Sequence, residues 1–363
     1  MGIIFDPSDG PAPAPPAARA ADDTPPAAAR RRPGFGLWRS LAGGRHRGPP
    51  SAHFDGTEFR NPSGETGKSL LEAWRWSRTR QPAPWPAWRE LTARPDLPRT
   101  LAAGEFALTF VNHVTFLGQF RGLTLLTDPV WSERVSPFRR LGPKRVHAPG
   151  LALEALPPLD LVLVSHDHYD HLDVATLQAL ARGHRATFVT GLGNAGFLAG
   201  LGIGPVLELD WWQSAAVAGA RVTFVPAQHW SARSPFRRNR TLWGGFVVEH
   251  DGRRLYFAGD TGAGPHFAAL RARLGPPDVS LLPIGAYAPR WFMRGQHMDP
   301  YDAVRAHLEL ESRMSIGTHF GCFQLTDEGI DEPLVHLDRA RREAGVSAES
   351  FPVLEPGETR HVR

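Results

Sequence analysis

The sequence of 363 residues contains one cysteine, Cys322. A single thiol excludes an intramolecular disulfide and any structural zinc site built on several cysteines. Cys322 follows closely on His319, but a small buried side chain is the reading favoured for it. Lysine is almost absent as well: Lys68 and Lys144 are the only two, so nearly all the basic side chains are arginine. Arginine suits bidentate phosphate contacts, although a compositional bias accounts for the same fact. The net charge of +4 is modest. Weak attraction to anionic lipid is therefore allowed, and no specific nucleic-acid partner is expected. No apolar run approaches the roughly 20 residues that span a bilayer. Met1 to Ala21 lacks a basic stretch followed by an apolar one, so no secretory signal is read. The expected location is the cytoplasm or the inner face of a membrane.

What is present falls into two parts. Residues 1–51, rich in Pro, Ala and Arg without periodicity, read as a disordered tail. Within it, Arg30-Arg31-Arg32 precedes Phe35-Gly36-Leu37-Trp38, a basic and aromatic patch suited either to an anionic membrane surface or to plain solvation. Residues 52–363 read as one domain. Apolar runs predict strands at Phe106–Phe110, Leu123–Leu126, Leu159–Val164, Thr187–Thr190, Val222–Pro226, Gly245–Glu249, Arg254–Ala258, Val279–Pro283 and Met314–Gly317. Helices are expected at Ala73–Thr79, Leu172–Ala181 (with Asp173 placed to cap it), Phe267–Leu274, Tyr301–Leu308 and Pro333–Ala344. The mixture argues for a layered α/β fold with its site along one edge of the sheets.

The stretch Ser165-His166-Asp167-His168-Tyr169-Asp170-His171 follows one of these strands. Residues two apart in extended backbone point the same way, so His166 and His168 can face one ion. Asp170 and His171 come after the turn and can face a second. Imidazoles and a carboxylate at a strand end suit zinc or another borderline divalent ion. Three later strands lead into further donors: His229 in Gln228-His229-Trp230, Asp260 in Asp260-Thr261-Gly262, and His319 in Thr318-His319-Phe320.

This motif set resembles the metallo-β-lactamase superfamily, an αββα sandwich with a dinuclear metal site at one edge of the sheets. Within it the sequence is similar to the N-acyl-phosphatidylethanolamine-hydrolysing phospholipases D. The likeness is carried by Asn112-His113-Val114-Thr115, Thr127-Asp128-Pro129, Gly142-Pro143-Lys144-Arg145 and Glu208-Leu209-Asp210-Trp211-Trp212. Its longest and most specific part is Pro283-Ile284-Gly285-Ala286-Tyr287-Ala288-Pro289-Arg290-Trp291-Phe292-Met293, followed by Gln296-His297-Met298-Asp299-Pro300. The resemblance implies two Zn2+ or other divalent ions: one on His166, His168 and His229, one on Asp170, His171 and His319, with Asp260 bridging. It also implies a phospholipid substrate, N-acyl-phosphatidylethanolamine, cleaved to N-acylethanolamine and phosphatidic acid by a metal-bridged hydroxide. A homodimer and peripheral membrane contact are further expectations.

Around that set, Asp128 is the first candidate to orient metal-bound imidazoles, with His113 and Asp167 behind it, Asp128 alternatively serving only an Asx-type turn before Pro129. His297 is a candidate to contact the phosphate or protonate the leaving oxygen, or else a structural histidine. Tyr287, Arg290 and Trp291 are candidate substrate contacts. Most of Trp211, Trp212, Trp230, Trp243, Trp291 and Phe292 are expected in the core, the remainder lining an acyl groove. Two rival functions remain: a hydrolase of another phosphodiester or lactone on the same fold, and a non-enzymatic membrane- or RNA-binding protein using the basic tail.

Overall fold

The computed structural model describes residues 43–363, apart from 62, 64–67, 139 and 235–236. The tail reading for residues 1–42, with its Arg30–Arg32 patch, lies outside the described residues. From Gly43 onward the chain is packed on the body. The His46 amide donates to the Arg240 carbonyl at 2.8 Å, and its ring lies 4.9 Å from that of Phe54. The packed body thus begins some residues before the expected boundary at 52.

Two mixed sheets form the centre. The first contains β1 (Phe106–Asn112), β2 (Thr115–Phe120), β3 (Leu123–Thr127), β4 (Leu161–Val164), β5 (Thr187–Gly191) and β6 (Val206–Leu209) side by side in that order. The second contains β7 (Ser214–Val217), β8 (Ala220–Val225), β9 (Gly245–His250), β10 (Arg253–Phe257), β11 (Val279–Pro283) and β12 (Met314–Thr318), again in chain order. The last strand, β13 (Thr359–Val362), returns to pair antiparallel with β1. β4 is buried throughout and parallel to both its neighbours. An unbroken run such as Leu161-Val162-Leu163-Val164 is what a strand covered on both faces requires.

The helices are α1 (Leu70–Thr79), α2 (Val174–Gly183), α3 (Ala195–Gly200), α4 (His266–Leu274), α5 (Arg290–Met293), α6 (Pro300–Leu310) and α7 (Glu332–Ala344). Leu177 and Leu180 of α2 pack with Val162, Val164 and Phe188 on the outside of the first sheet. Phe267, Val304 and Leu337 of α4, α6 and α7 pack with Val247, Tyr256 and Leu282 on the outside of the second. Between the sheets lie Phe106, Leu108, Phe110, Phe224, Phe246 and Phe257. Each such side chain contributes about 1.5–3 kcal/mol by leaving water. The architecture is an αββα sandwich, and each flanking helix covers a sheet face that would otherwise expose its apolar side.

The strand β2 is absent from the sequence reading, which ran Asn112 to Gly122 together as a connection. Gly118 and Gln119 interrupt its apolar pattern. The glycine is there because a Cβ at 118 would come within 3.0 Å of Leu125 on β3. The short edge strands β6, β7 and β13 likewise lack a strong apolar run. α1 begins three residues earlier than expected, at a capping box made by Ser69 and Glu72. Among the described residues, no helix is long and apolar enough to cross a membrane.

The pairing directions make β1, β3, β4, β8, β10, β11 and β12 end at one edge of the sandwich. The candidate residues stand in the loops that leave those ends.

Candidate metal centre

Seven of the expected donors meet at that edge. His166, His168, Asp170 and His171 leave β4, His229 follows β8, Asp260 follows β10 and His319 follows β12. Asp260 stands at the centre. Its Oδ2 is 3.1 Å from His171 Nε2, 3.2 Å from His319 Nε2, 3.7 Å from His229 Nε2 and 4.0 Å from His166 Nε2. On one side, His168 Nδ1 lies 2.8 Å from His166 Nε2 and 3.3 Å from His229 Nε2. On the other, Asp170 Oδ2 lies 3.3 Å from His319 Nε2 and 3.4 Å from His171 Nε2. The residues thus divide into two groups, each able to offer its ligand atoms to one ion. They share a single carboxylate.

The neighbours of the histidines explain which nitrogen faces inward. His171 Nδ1 lies 2.6 Å from Asp128 Oδ2, and His229 Nδ1 lies 2.8 Å from the Gln296 carbonyl. Ser165 Oγ donates to Asp128 Oδ2 at 2.5 Å and stands 2.9 Å from His166 Nδ1. An acceptor beside Nδ1 holds the proton there and leaves Nε2 as the inward lone pair. Asp128 therefore serves one group directly and the other through Ser165. It is fully buried and also accepts from the Ser165 amide at 2.7 Å.

His113 stands closer than a supporting role requires. Its Nε2 is 3.1 Å from Asp170 Oδ2, and the ring falls in the same donor group as Asp170, His171 and His319. Backbone strain collects here too: His113 (φ 48°), Asp128 (φ 30°) and His319 (φ 61°) all occupy the left-handed region. Such conformations cost about 1–3 kcal/mol each and persist where surrounding structure enforces them. Gly259, at φ +61°, ends β10 against the first sheet, where a Cβ would sit 2.6 Å from that of Ser165.

The electrostatics favour positive charge between the carboxylates. Burial opposes the cationic form of His319, yet Asp260 and Asp170 overcome it and raise the imidazole to about 9. Burial also opposes the charged form of His171, and the same carboxylates, joined by Asp128, raise it well above the usual histidine range. Asp260 is held well below the carboxylate range: His171 and His319 outweigh its burial. Conversely, His229 is lowered to about 4, chiefly by burial. Asp260 Oδ1 and His171 Nε2 are buried without a hydrogen-bond partner. Orphaned donors and acceptors facing one another in a carboxylate–imidazole cluster suit divalent cations.

The remaining candidates divide. His297 Nδ1 stands 3.9 Å from Asp260 Oδ2, buried and without a hydrogen-bond partner, and burial lowers its imidazole to about 3. Arg290 is committed elsewhere: it donates to Asp302 at 2.6 Å and to the His297 carbonyl at 2.9 Å, and pairs with Asp299 at 3.1 Å. It holds the 290–302 segment in place. The Tyr287 hydroxyl turns to His336 Nδ1 at 2.9 Å on α7, in a buried position, so it offers no free hydroxyl to a substrate. Trp291 is 46 % exposed. With Arg290, Lys68, Arg294 and Arg305 it lines a cavity of about 620 Å³ that reaches His229. Trp211, Trp243 and Phe292 are core; Trp230 packs edge-on against His168 at 4.4 Å. Cys322 is buried, and burial pushes its thiol up to about 12.

Several participants carried no signal of their own. Ser165 sits inside the motif but titrates nothing. Gln296 acts through a carbonyl, which any residue possesses. Asn61 exchanges two hydrogen bonds with the His229 backbone, at 2.8 and 3.1 Å, from 168 residues away. Asp167, by contrast, is among the candidates to orient an imidazole; its carboxyl lies beside the buried Arg233 and Thr241, and burial raises it to about 6.

Fold and donor set together define a class. A family model described as a beta-lactamase superfamily domain matches residues 124–320. The chain belongs to the beta-lactamase superfamily and is a metallo-hydrolase within it. It is 42 % identical over 262 residues to an uncharacterized protein of Mycobacterium tuberculosis, covering 69 % of this chain and 70 % of that one. It is 38 % identical over 271 residues to N-acyl-phosphatidylethanolamine-hydrolyzing phospholipase D 1 of Caenorhabditis elegans, covering 70 % and 75 % of the two chains. Igni18, a metallo hydrolase of the archaeon Ignicoccus hospitalis, shares the fold with a TM-score of 0.53 at 24 % identity, over 71 % of this chain and 99 % of that one.

Proposed function

We propose that the protein is a zinc-dependent phosphodiesterase of phospholipase D type, which hydrolyses N-acyl-phosphatidylethanolamine to N-acylethanolamine and phosphatidic acid. The observation that carries this reading is the convergence of His166, His168, His229, Asp170, His171 and His319 on Asp260. That convergence occurs in a chain 38 % identical to a phospholipase D of that specificity. His166, His168 and His229 would hold one ion, Asp170, His171 and His319 the other, and Asp260 both. When bound, two such ions supply Lewis acidity toward a phosphate and a nucleophile from water near neutral pH.

The chain's own residues do the positioning. Asp128, Ser165 and the Gln296 carbonyl hold Nδ1 protons on His171, His166 and His229, so that the inward nitrogens remain ligands. Asp260, as a ligand, stays ionised and does not act as the general base. His297, neutral through burial, hydrogen-bonds the substrate phosphate rather than delivering a proton as an imidazolium. Arg290 keeps that imidazole in place by gripping its carbonyl. Trp291 with Lys68, Arg294 and Arg305 makes the cationic, partly aromatic wall along which a phospholipid headgroup reaches His229. No Ser, Cys or Lys nucleophile is called for.

The test is mass spectrometry of products after zinc-loaded protein meets N-acyl-phosphatidylethanolamine in mixed micelles, with D260A in parallel. Phosphatidic acid and N-acylethanolamine from the unmodified protein alone are expected. If neither forms while a simple chromogenic phosphodiester is cleaved, the lipid substrate is wrong and the metal site stands.

A further inference from the structure

We propose that the outer face of α1, together with Trp291 of α5, docks the protein on an anionic lipid bilayer beside the cavity that reaches His229. The inference deepens the proposed function, and it rests on that reading only in taking this cavity as the substrate's entrance.

The helix is secured at its start. Glu72 N donates to Ser69 Oγ at 3.2 Å, and Ser69 N to Glu72 Oε2 at 2.9 Å. That reciprocal cap offsets the cost of beginning so short a helix. Its inner side is fixed by Trp76, stacked on Phe292 of α5 with ring centroids 4.8 Å apart. Leu71, Trp74, Arg75 and Arg78 follow the i, i+3, i+4, i+7 spacing and share the opposite side. There Leu71 is 72 % and Trp74 60 % exposed. Arg75 leans over the Trp291 ring at 5.2 Å, and Arg78 over that of Trp74 at 5.8 Å. Large apolar side chains gathered in one patch mark an interaction face, whereas scattered ones do not.

The mixture selects the partner. Indole rings and a leucine flanked by guanidinium groups match the headgroup level of a bilayer, where the rings enter the acyl boundary and the arginines stay with phosphates. The acidic groups nearby are already engaged: Glu72 with Lys68 at 3.5 Å as well as the helix cap, Asp299 and Asp302 with Arg290, Asp302 also with Arg305, and Asp327 with Arg80 at 3.1 Å. The face is therefore cationic in balance and complementary to anionic lipid. Trp291 belongs both to this face and to the cavity wall, which ties docking to substrate entry.

The experiment compares the full chain with L71E/W74E in co-sedimentation with vesicles of phosphatidylcholine, with or without about one third phosphatidylglycerol. Cleavage of a soluble chromogenic phosphodiester by each protein is measured alongside. The expected result is binding about tenfold tighter to the anionic vesicles. The double variant should lose about that factor while its turnover of the soluble diester is unchanged. Equal vesicle binding by the two proteins, or no preference for the anionic vesicles, overturns the proposal. If both proteins fail to cleave N-acyl-phosphatidylethanolamine in micelles while the docking difference is seen, docking stands and the substrate reading falls.

Discussion

Three of the histidines facing Asp260 spend their second nitrogen on a fixed partner, in surroundings where almost nothing is exposed. At the other end of the same cavity Trp291 is nearly half exposed, and its neighbours Arg294 and Arg305 are long, adaptable cations. The floor is built for geometry: His166, His171 and His229 are each held by a neighbour at Nδ1, the nitrogen turned away from Asp260. The rim is built for contact, through area and charge. Substitutions should therefore act steeply at the floor and gently at the rim.

The largest effect is expected at Asp260. D260A removes the carboxylate shared by both donor groups, so metal content by mass spectrometry should fall and hydrolysis should vanish. Retention of both ions would break the comparison at its strongest point. Next comes D128A, which lies outside the proposed ligand set but releases His171 and, through Ser165, His166. Metal affinity should drop about 10–100-fold. A smaller change would mean that packing alone orients the rings.

G259A sharpens the same point through backbone. The left-handed φ and the close approach to Ser165 should cost about 1–3 kcal/mol in urea unfolding, measured with and without metal.

His266 lies beneath the floor, its Nε2 3.1 Å from the Thr261 hydroxyl, and burial lowers its imidazole to about 3. Between that value and the unfolded one near 6.5, the unfolded chain binds a proton that the folded chain refuses. The contribution is thus full above about pH 6.5 and is lost as the pH falls toward 3. H266Q should flatten the stability profile in that window by up to about 1.4 kcal/mol per pH unit. The smallest change belongs to the rim: W291A should leave stability within about 0.5 kcal/mol and raise KM for a lipid substrate more than it lowers kcat.

The contrast also explains what the sequence made legible. The floor announced itself because metal ligands must be particular side chains, and His166 to His171 lie next to one another along the chain. Asp128 could be singled out by its local motif, though an Asx turn explained it equally well until Ser165 and His171 were seen around it. Gln296 and Asn61 could not, since one works through its carbonyl and the other reaches His229 from far along the chain. Arg290 and Tyr287 present the opposite case. They lie in the most specific stretch of the resemblance, yet their polar atoms are spent on Asp302, the His297 carbonyl and His336, which holds the stretch together. In the fold, the fully buried strands β4 and β11 were readable from their apolar runs. β2 was hidden by Gly118, whose reason is a leucine on the neighbouring strand.

The most direct test of the account is anomalous diffraction at the zinc edge from crystals of the zinc-loaded protein. Two peaks are predicted, one among His166, His168 and His229, the other among Asp170, His171 and His319, with the Asp260 carboxylate between them. A single peak, or two peaks that leave Asp260 unligated, would contradict it.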